Sequence, residues 1–374
     1  MNKIAVRYCG SAGDPSGYGS ANRSFITSLY LAGVDVTTEI IRQMTDTHHY
    51  GWTWELCRQL EHREIDYKIK IIHLTPDMYP KYMEPGKFHI GHLFWETNKL
   101  PKEWIAPCNK MDEIWTATEP QAQMIRDSGV KTPIKCFGQP LDTTFAESSI
   151  RPFVIPNFNG VVFYSVFQWI LRKNPKALVT SFWKAFQGRT DVCLVLKTYR
   201  VNYSESEFKK IQEEILNWKV ESGLRNFPKV VIAPTLYNNN DMWRLHKSGD
   251  VYVNTSGGEG WGRPAVEAAL MGNPIISLDK TGFADIFPKD IYYPISCTPT
   301  PATAVHWIPW YDSSMSWLAI NEDQLIETLK TIYNDRKDSQ EKGKKAQLFV
   351  KENLNYYVIG KAMRERLEEI SKFL

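Results

Sequence analysis

The fold class is predicted most clearly by one stretch of the sequence, Asp250-Val-Tyr-Val-Asn-Thr-Ser-Gly-Gly-Glu-Gly-Trp-Gly-Arg-Pro-Ala-Val-Glu-Ala-Ala-Leu-Met-Gly272. It predicts a buried strand that ends at Asn254, a glycine-rich loop, and a helix with Pro264 in its first turn and Gly272 at its C-terminal cap. A further strand, Ile275–Leu278, follows directly. Strand, loop, helix and strand in this order build a parallel sheet, and the helix N-terminus then lies at the carboxyl edge of that sheet.

Such a helix N-terminus favours phosphate, because its free N–H groups and the positive end of the helix dipole face the ligand. Two acids flank the turn, Glu259 on the loop and Glu267 in the first turns of the helix. Either acid alone could serve the structure, as a turn cap or as a complement to the helix dipole. Carboxylates accept hydrogen bonds only, so the two together suit sugar and ribose hydroxyls. The loop between and around them holds Gly257, Gly258, Gly260 and Gly262, which let a ligand approach the backbone closely.

The alternation of strands, turns and helices continues on both sides of this stretch. Residues 4–9 predict a strand, a loop rich in small residues follows, and Ala21–Leu31 predicts a helix. Strands that alternate with helices in this way are typical of parallel, doubly wound sheets. The further strand candidates are Lys70–Leu74, His89–Phe94, Glu113–Ala117, Gly160–Phe167, Val192–Leu196 and Lys229–Ala233.

A run of turn residues between Gly138 and Pro156 separates two series of strands. With 374 residues and 43% hydrophobic content, the chain is long enough for two cores of ordinary size. We therefore predict an α/β protein with an N-terminal Rossmann-like domain over residues 1–150, a C-terminal Rossmann-like domain over 151–350, and a helical segment over 351–374.

Composition excludes several classes of function. The net charge is +3, and residues 1–150 carry 16 Lys and Arg against 18 Asp and Glu, so no strongly basic surface for nucleic acid is predicted. Six cysteines without a Cys-x-x-Cys pair indicate neither a zinc site nor a disulfide framework, which fits a reducing cytoplasm. Residues 1–7 lead directly into a strand, so we expect neither a signal peptide nor a transmembrane segment.

The central stretch resembles glycosyltransferase family 4, whose hallmark is two glutamates separated by seven residues in a Gly-Glu-Gly-aromatic-Gly context. Here the matching residues are Gly258-Glu259-Gly260-Trp261-Gly262 and Glu267-Ala268. The resemblance extends over most of the chain, to Gly17-Tyr18-Gly19 with Arg23, Trp95-Glu96, Leu100-Pro101, Glu113-Ile114-Trp115 and Arg172-Lys173-Asn174-Pro175.

The resemblance implies the GT-B fold, in which two Rossmann-like domains face each other across a cleft and the C-terminal helix returns to the N-terminal domain. It also implies transfer of a sugar from a nucleotide-diphosphate sugar with retention of anomeric configuration, with neither a metal nor a cofactor. The N-terminal domain would hold the acceptor and the C-terminal domain the donor. Carried over by position, Glu259 would contact donor-sugar hydroxyls, Glu267 the ribose, and the backbone at Trp261, Gly262 and Arg263 the sugar and pyrophosphate.

Cations beside the leaving pyrophosphate would stabilise the transition state more than the ground state, since negative charge concentrates there as the glycosidic bond breaks. Lys173 fits this role, although it could also belong to an exposed helix start. The family usually supplies an arginine a few residues earlier, where this chain has Gln168, while Arg172 stands beside the lysine. Arg172 is therefore a second candidate for phosphate contact. The absence of an Asp-x-Asp motif agrees with metal independence.

The N-terminal half contributes two further groups of candidates. Gly17-Tyr18-Gly19 forms a predicted loop after the first strand, where backbone could approach the donor or the acceptor; Asn22 breaks the spacing of a dinucleotide fingerprint. His92 and Glu96 lie at the end of a predicted strand, at a place where relatives set a polar residue near the sugar. His92 could equally be a structural histidine.

Two alternatives stay open at this stage. The first concerns the acceptor, which is a saccharide, a lipid, a protein or a hydroxylated nucleobase. Some enzymes of this architecture modify hydroxylated bases of DNA. The near-neutral N-terminal half argues against a DNA substrate. The second alternative is a nucleotide-sugar or carbohydrate-binding protein without catalysis, which would use the same donor contacts.

Overall fold

The computed structural model describes residues 4–41, 51–303, 305 and 308–374. Part of the expectation about the N-terminal segment falls on residues 1–3, which lie outside this description. The chain forms two compact units: the first comprises Met1–Thr144 with Val350–Leu374, and the second Phe145–Phe349. The functional assignment of domains to residues 1–150 and 151–350 stays a prediction.

The first unit is built around a parallel sheet of six strands in the order β2-β1-β3-β4-β5-β6. Its strands are β1 (Ala5–Gly10), β2 (Asp35–Ile40), β3 (Ile69–His73), β4 (Phe88–His92), β5 (Glu113–Thr116) and β6 (Ile134–Cys136). Its helices are α1 (Gly17–Leu31), α2 (Trp52–Gln59), α3 (Tyr79–Tyr82), α4 (Lys102–Cys108) and α5 (Glu119–Asp127), with a 3₁₀ turn at Pro76–Met78.

The second unit contains another parallel sheet of six strands, in the order β12-β11-β10-β7-β8-β9. Its strands are β7 (Val161–Gln168), β8 (Val192–Tyr199), β9 (Lys229–Ala233), β10 (Val251–Asn254), β11 (Ile275–Leu278) and β12 (Tyr293–Ile295). The antiparallel pair β13 (Cys297–Pro301) and β14 (Ser316–Ile320) stands apart from this sheet. The helices are α6 (Pro175–Ala185), α7 (Glu205–Ser222), α8 (Asn239–Ser248), α9 (Arg263–Leu270) and α10 (Glu322–Asn334), with 3₁₀ turns at Thr143–Glu147, Leu171–Lys173 and Lys289–Ile291.

The last two helices are α11 (Arg336–Asn353), which carries the chain back into the first unit, and α12 (Tyr356–Ser371). Apolar side chains of α12, among them Met363 and Leu367, are buried in one core with Phe25 of α1. Arg366 Nη2 also lies 2.5 Å from Oε2 of the buried Glu113 on β5. The expected return of the C-terminal helix to the N-terminal half is therefore confirmed.

The predicted strands are all present, with ends that agree or shift by at most three residues. Of the sheet strands, β2, β6 and β12 were not predicted, and neither was the pair β13 and β14. Asp35–Ile40 is largely polar, whereas Ile134–Cys136 and Tyr293–Ile295 are edge strands of only three residues each. Among the described residues, no helix combines the length and the apolar character needed to cross a bilayer.

Candidate functional site

In the second unit, β7 and β10 are adjacent strands at the middle of the sheet. The chain continues from β7 to β8 and β9 on one side, and from β10 to β11 and β12 on the other. Ligands of parallel α/β sheets bind at the carboxyl ends of strands at such a switch point. Two segments leave the sheet here: the 3₁₀ turn Leu171–Lys173 after β7, and the glycine loop after β10, which we define as residues 255–262.

Backbone and side-chain hydrogen bonds join this turn to the glycine loop. Gly257 N donates to Arg172 O at 2.7 Å, and Thr255 Oγ1 donates to Lys173 O at 2.9 Å. Asn174, which takes the left-handed conformation at φ 52°, donates from Nδ2 to Thr255 O at 2.9 Å. Segments more than 80 residues apart in the sequence are thus held side by side.

Lys173 Nζ forms an ion pair with Glu259 Oε1, and the two side chains are only 13% and 15% exposed. Burial by itself opposes ionisation of the carboxyl group, but the charges of Lys173 and Arg172 outweigh it and lower the pKa of Glu259. Glu259 is therefore an ionised acceptor that is already paired with the predicted phosphate-binding lysine.

Arg172 occupies a different position from its neighbour. Its side chain is buried, and Nη1 donates to the carbonyl oxygen of Gly258, which also accepts a hydrogen bond from Ser256 Oγ at 2.9 Å. Arg172 thus supports the backbone of the glycine loop. The phosphate contact that the sequence allowed for Arg172 stays a prediction.

The N-terminus of α9 closes the glycine loop. Gly262, its N-cap residue, has φ 83°, a conformation that favours glycine, and Pro264 lies in the first turn as predicted. Within the described part of the chain, the backbone N–H groups of Trp261, Gly262 and Arg263 donate to no protein atom. Trp261 is buried, and so are Gly258 and Gly260. Three unbonded N–H groups at a helix N-terminus are suited to an anion.

Glu267 lies one turn further along α9. Its Oε1 accepts a hydrogen bond from Arg263 Nε at 2.9 Å, and its Oε2 lies 3.5 Å from Nε2 of the buried His246. Burial opposes ionisation, yet the contacts with His246 and Arg263 lower the pKa of Glu267 below its usual value. Glu267 is thus a second ionised, largely buried carboxylate at the same sheet edge.

In the first unit, Gly17-Tyr18-Gly19 is not a loop, as the sequence analysis predicted, but the first turn of α1. Ser16 is the N-cap, and its side chain accepts a hydrogen bond from Gly19 N. A Cβ at Gly19 would lie 2.0 Å from the carbonyl oxygen of Asp14, so this glycine is required by backbone packing. Gly17 is exposed and has open space around its Cα. Capping by Ser16 offsets part of the low helix propensity of the two glycines.

His92 is completely buried at the end of β4, in a group of aromatic rings in the first unit. Its ring stacks on His73 at a centroid distance of 4.3 Å and meets Phe25 edge-on at 4.4 Å. Neither ring nitrogen has a hydrogen-bond partner among the described residues, and burial lowers the pKa of His92 to about 3. Glu96 is half-buried. The pKa of Tyr18 is raised first by its own burial and second by the charge of Glu96. The roles predicted for His92 and Glu96 stay predictions.

Sequence reasoning missed the structural role of three residues that shape this site. His246 gave no signal, and Asn174 was noted only as part of the resemblance, because their partners lie far away in the sequence. Gly282, in the loop after β11, donates from its N–H to Glu259 O at 3.0 Å, and a Cβ there would lie 2.5 Å from Gly260 O. An isolated glycine after a strand could have suggested a close backbone approach. Among the residues that the structure describes, no cluster of three or more His, Cys, Asp or Glu side chains is arranged for a metal ion.

Solved structures of the same architecture match the chain over its whole length. HepE of Anabaena, solved in complex with UDP and glucose and with UDP-glucose, matches at a TM-score of 0.69 and 12% identity, over 98% of this chain and 100% of its own. Sucrose-phosphate synthase of Thermosynechococcus elongatus matches at a TM-score of 0.70 and 12% identity, over 100% of both chains. The chain has the GT-B fold.

Other comparisons are less extensive. TarM of S. aureus matches this chain at a TM-score of 0.58 and 15% identity, over 80% of this chain and 55% of the TarM chain. Poly(A) RNA polymerase protein 1 of Saccharomyces cerevisiae is 29% identical over 97 residues, which are 24% of this chain and 15% of that protein. No protein-family model matches the sequence. At these identities the structural matches establish the fold.

Proposed function

We propose that this GT-B chain is a retaining, metal-independent glycosyltransferase of family 4 that transfers a sugar from a nucleotide-diphosphate sugar to a hydroxyl acceptor. One observation carries the proposal: the Lys173–Glu259 ion pair, the unbonded N–H groups of residues 261–263 and the ionised Glu267 lie together at one switch point. The complex of HepE with UDP-glucose supports the class of donor.

Each part of the donor has a chemically matched group. The diphosphate would accept hydrogen bonds from the free N–H groups at the start of α9 and would lie beside Lys173. Glu267 would accept hydrogen bonds from the ribose hydroxyls, and Glu259 from hydroxyls of the transferred sugar. In the first unit, Gly17 to Gly19, His92 and Glu96 would orient the sugar or the acceptor.

The ion pair couples recognition of the phosphate to recognition of the sugar. In the free protein Lys173 and Glu259 satisfy each other. A bound diphosphate competes for the ammonium group of Lys173 and leaves lone pairs of the Glu259 carboxylate available to sugar hydroxyls. A donor that brings both groups is therefore bound better than one that brings phosphate alone.

The transfer itself needs no strong protein base. The bond between the sugar C1 and the diphosphate oxygen breaks, and the electron pair leaves with the diphosphate beside Lys173 and the α9 N-terminus. The acceptor oxygen attacks C1 from the same face, and its proton passes to the departing phosphate oxygen. The new bond then has the configuration of the old one. Neither a metal nor a cofactor takes part in these steps.

The remaining assignments follow from this proposal. Residues 151–350 form the donor domain and residues 1–150 the acceptor domain. The acceptor is any molecule of saccharide, lipid, protein or hydroxylated-base chemistry that presents a nucleophilic hydroxyl. All six cysteines are free thiols, which supports a reducing, cytoplasmic setting.

The proposal is tested by thermal shift and nucleotide release with UDP-, GDP-, ADP- and TDP-sugars. We expect one class of donor to raise the melting temperature, since only the native state binds it. Slow release of the free diphosphate without an acceptor distinguishes an enzyme from a protein that only binds. No shift with any donor would contradict the proposal, and an NMR assignment of a β-linked product from an α-linked donor would contradict retention.

Glu267→Ala should weaken donor affinity by roughly 10–100-fold, the scale of losing one hydrogen bond to a charged group. The chain offers a matched control in α12, where Arg364 Nε donates to Glu368 Oε1 at 2.9 Å across the same i,i+4 spacing as Arg263 and Glu267. Glu368→Ala removes an equivalent helical ion pair at an exposed position and should leave affinity unchanged. Equal affinities of the two variants would remove Glu267 from the donor site.

A further inference from the structure

Behind Glu267, the side chains of His246, Tyr164 and Asn273 form a largely buried polar network in the second unit. His246, at the end of α8, is completely buried. Its Nδ1 lies 2.9 Å from the hydroxyl of Tyr164 on β7, and Asn273 Nδ2 donates to that hydroxyl at 2.8 Å and to His246 O at 2.7 Å. On the other side of the ring, Nε2 lies 3.5 Å from Glu267 Oε2, an electrostatic contact, and it has no hydrogen-bond partner among the described residues.

The donors and acceptors in this network determine where the histidine proton lies. The Asn273 amide nitrogen can only donate, and it faces two oxygens, so the Tyr164 oxygen accepts from it. The hydroxyl hydrogen of Tyr164 is then available to His246 Nδ1, which becomes an acceptor. The ring proton is left on Nε2, where it faces the carboxylate of Glu267.

The two oxygens of Glu267 therefore each meet one donor of the protein. Arg263 Nε takes Oε1 at 2.9 Å, and His246 Nε2–H faces Oε2. A carboxylate oxygen accepts about two hydrogen bonds, so each oxygen retains a lone pair that points away from these contacts. Two acceptors held at a fixed separation suit the two neighbouring hydroxyls of a ribose ring.

We infer that His246, held in the Nε2–H form by Tyr164 and Asn273, is a positioning residue that orients Glu267 toward the ribose of the donor. This inference rests on the proposed function and adds a specific consequence: preference for ribose over deoxyribose depends on a histidine that touches no substrate atom. A histidine that merely joined α8 to the sheet would affect stability but not the choice of sugar.

The test measures the dissociation constants of UDP, GDP and ADP and of their 2′-deoxy counterparts by calorimetry. For the nucleotide that the wild type binds best, we expect a ribose preference of roughly tenfold, the scale of one hydrogen bond to a charged group. His246→Leu should reduce this preference to less than about threefold with little change for the deoxynucleotide. His246→Gln, whose amide nitrogen can replace Nε2–H, should restore most of it.

A second variant keeps the test decisive if His246→Leu does not fold. Tyr164→Phe retains the ring but removes the hydroxyl that makes Nδ1 an acceptor, so the ribose preference should fall partially. Unchanged ribose preference in whichever of these two variants folds overturns the inference, and so does a folded wild type that binds nucleotides without any ribose preference. A wild type that binds none of the six nucleotides overturns the proposed function and the inference together, which separates the two failures.

Discussion

Gly282 allows a direct test of whether the backbone position of the glycine loop controls donor affinity. In Gly282→Ala, the added Cβ would lie 2.5 Å from Gly260 O and 2.8 Å from Glu259 O. Ordinary contacts require about 3.5 Å, so the loop or the alanine has to move by up to about 1 Å. The movement also strains the hydrogen bond from residue 282 N to Glu259 O, which is 3.0 Å in the structure.

Gly282→Ala should lower both the stability of the protein and its affinity for the donor, each by its own amount. Overpacking by one methyl group costs about 1–3 kcal/mol, which lowers the melting temperature by several degrees in a unit of this size. Displacement of the Glu259 carboxylate and of the N–H groups after it should weaken one charge-assisted contact, so donor affinity should fall by roughly 10–100-fold.

Gly160→Ala is a matched control in the same unit. A Cβ at Gly160 would lie 2.2 Å from the backbone oxygen of Asp191, a comparable clash, but both residues precede their strands and lie at the amino edge of the sheet. Differential scanning fluorimetry should show lower melting temperatures for both variants, and calorimetry should show weaker donor binding for Gly282→Ala alone. If both variants bind the donor as the wild type does, the loop position does not control affinity and the reasoning is refuted.

Three further outcomes are expected. Lys173→Ala should reduce turnover roughly tenfold or more, because one cation beside the leaving diphosphate is lost, and normal turnover would place Lys173 outside the site. Excess chelator should leave transfer unchanged in an assay of product formation, whereas activity lost to the chelator and restored by magnesium or manganese would contradict metal independence. Lys197 is buried between the rings of Tyr203 and Tyr237, and burial lowers its pKa to about 8. Between that value and the pKa of lysine in the unfolded chain, the unfolded chain binds more protons than the folded one. The free energy of unfolding of the wild type relative to Lys197→Met should therefore rise by up to about 3 kcal/mol as the pH increases from 8 to 10.5. A difference between the two proteins that does not change with pH in urea unfolding would refute this.

The fold was predictable from the sequence because its elements carry local signals. The stretch around α9 combines an apolar strand, glycines, Pro264 and Gly272, and each of these acts within a few residues of its own position. Strands β2 and β6 were missed because they carry no such local signal. They are stabilised by pairing with β1 and β5, and pairing partners leave no trace in the local hydrophobic pattern.

The candidate site was predictable only in part. The sequence pattern indicated Glu259 and Glu267 as a pair and Lys173 as a further candidate, but nothing local showed that Lys173 and Glu259 form an ion pair or that a histidine lies behind Glu267. Such contacts depend on which strands become neighbours in the sheet. For the same reason, burial and hydrogen-bond partners, which determine the charge states of both glutamates, became visible only in the structure.

The two adjacent basic residues show why position in the sequence did not distinguish their roles. Arg172 and Lys173 are both in the 3₁₀ turn after β7, and successive side chains of a 3₁₀ helix point about 120° apart. The two side chains therefore point in different directions. Arg172 turns inward, where its guanidinium can bond the Gly258 carbonyl and add a positive charge behind Glu259. A planar group with several donors suits the support of a buried loop, whereas the single ammonium of Lys173 suits the proposed exchange of Glu259 for a phosphate.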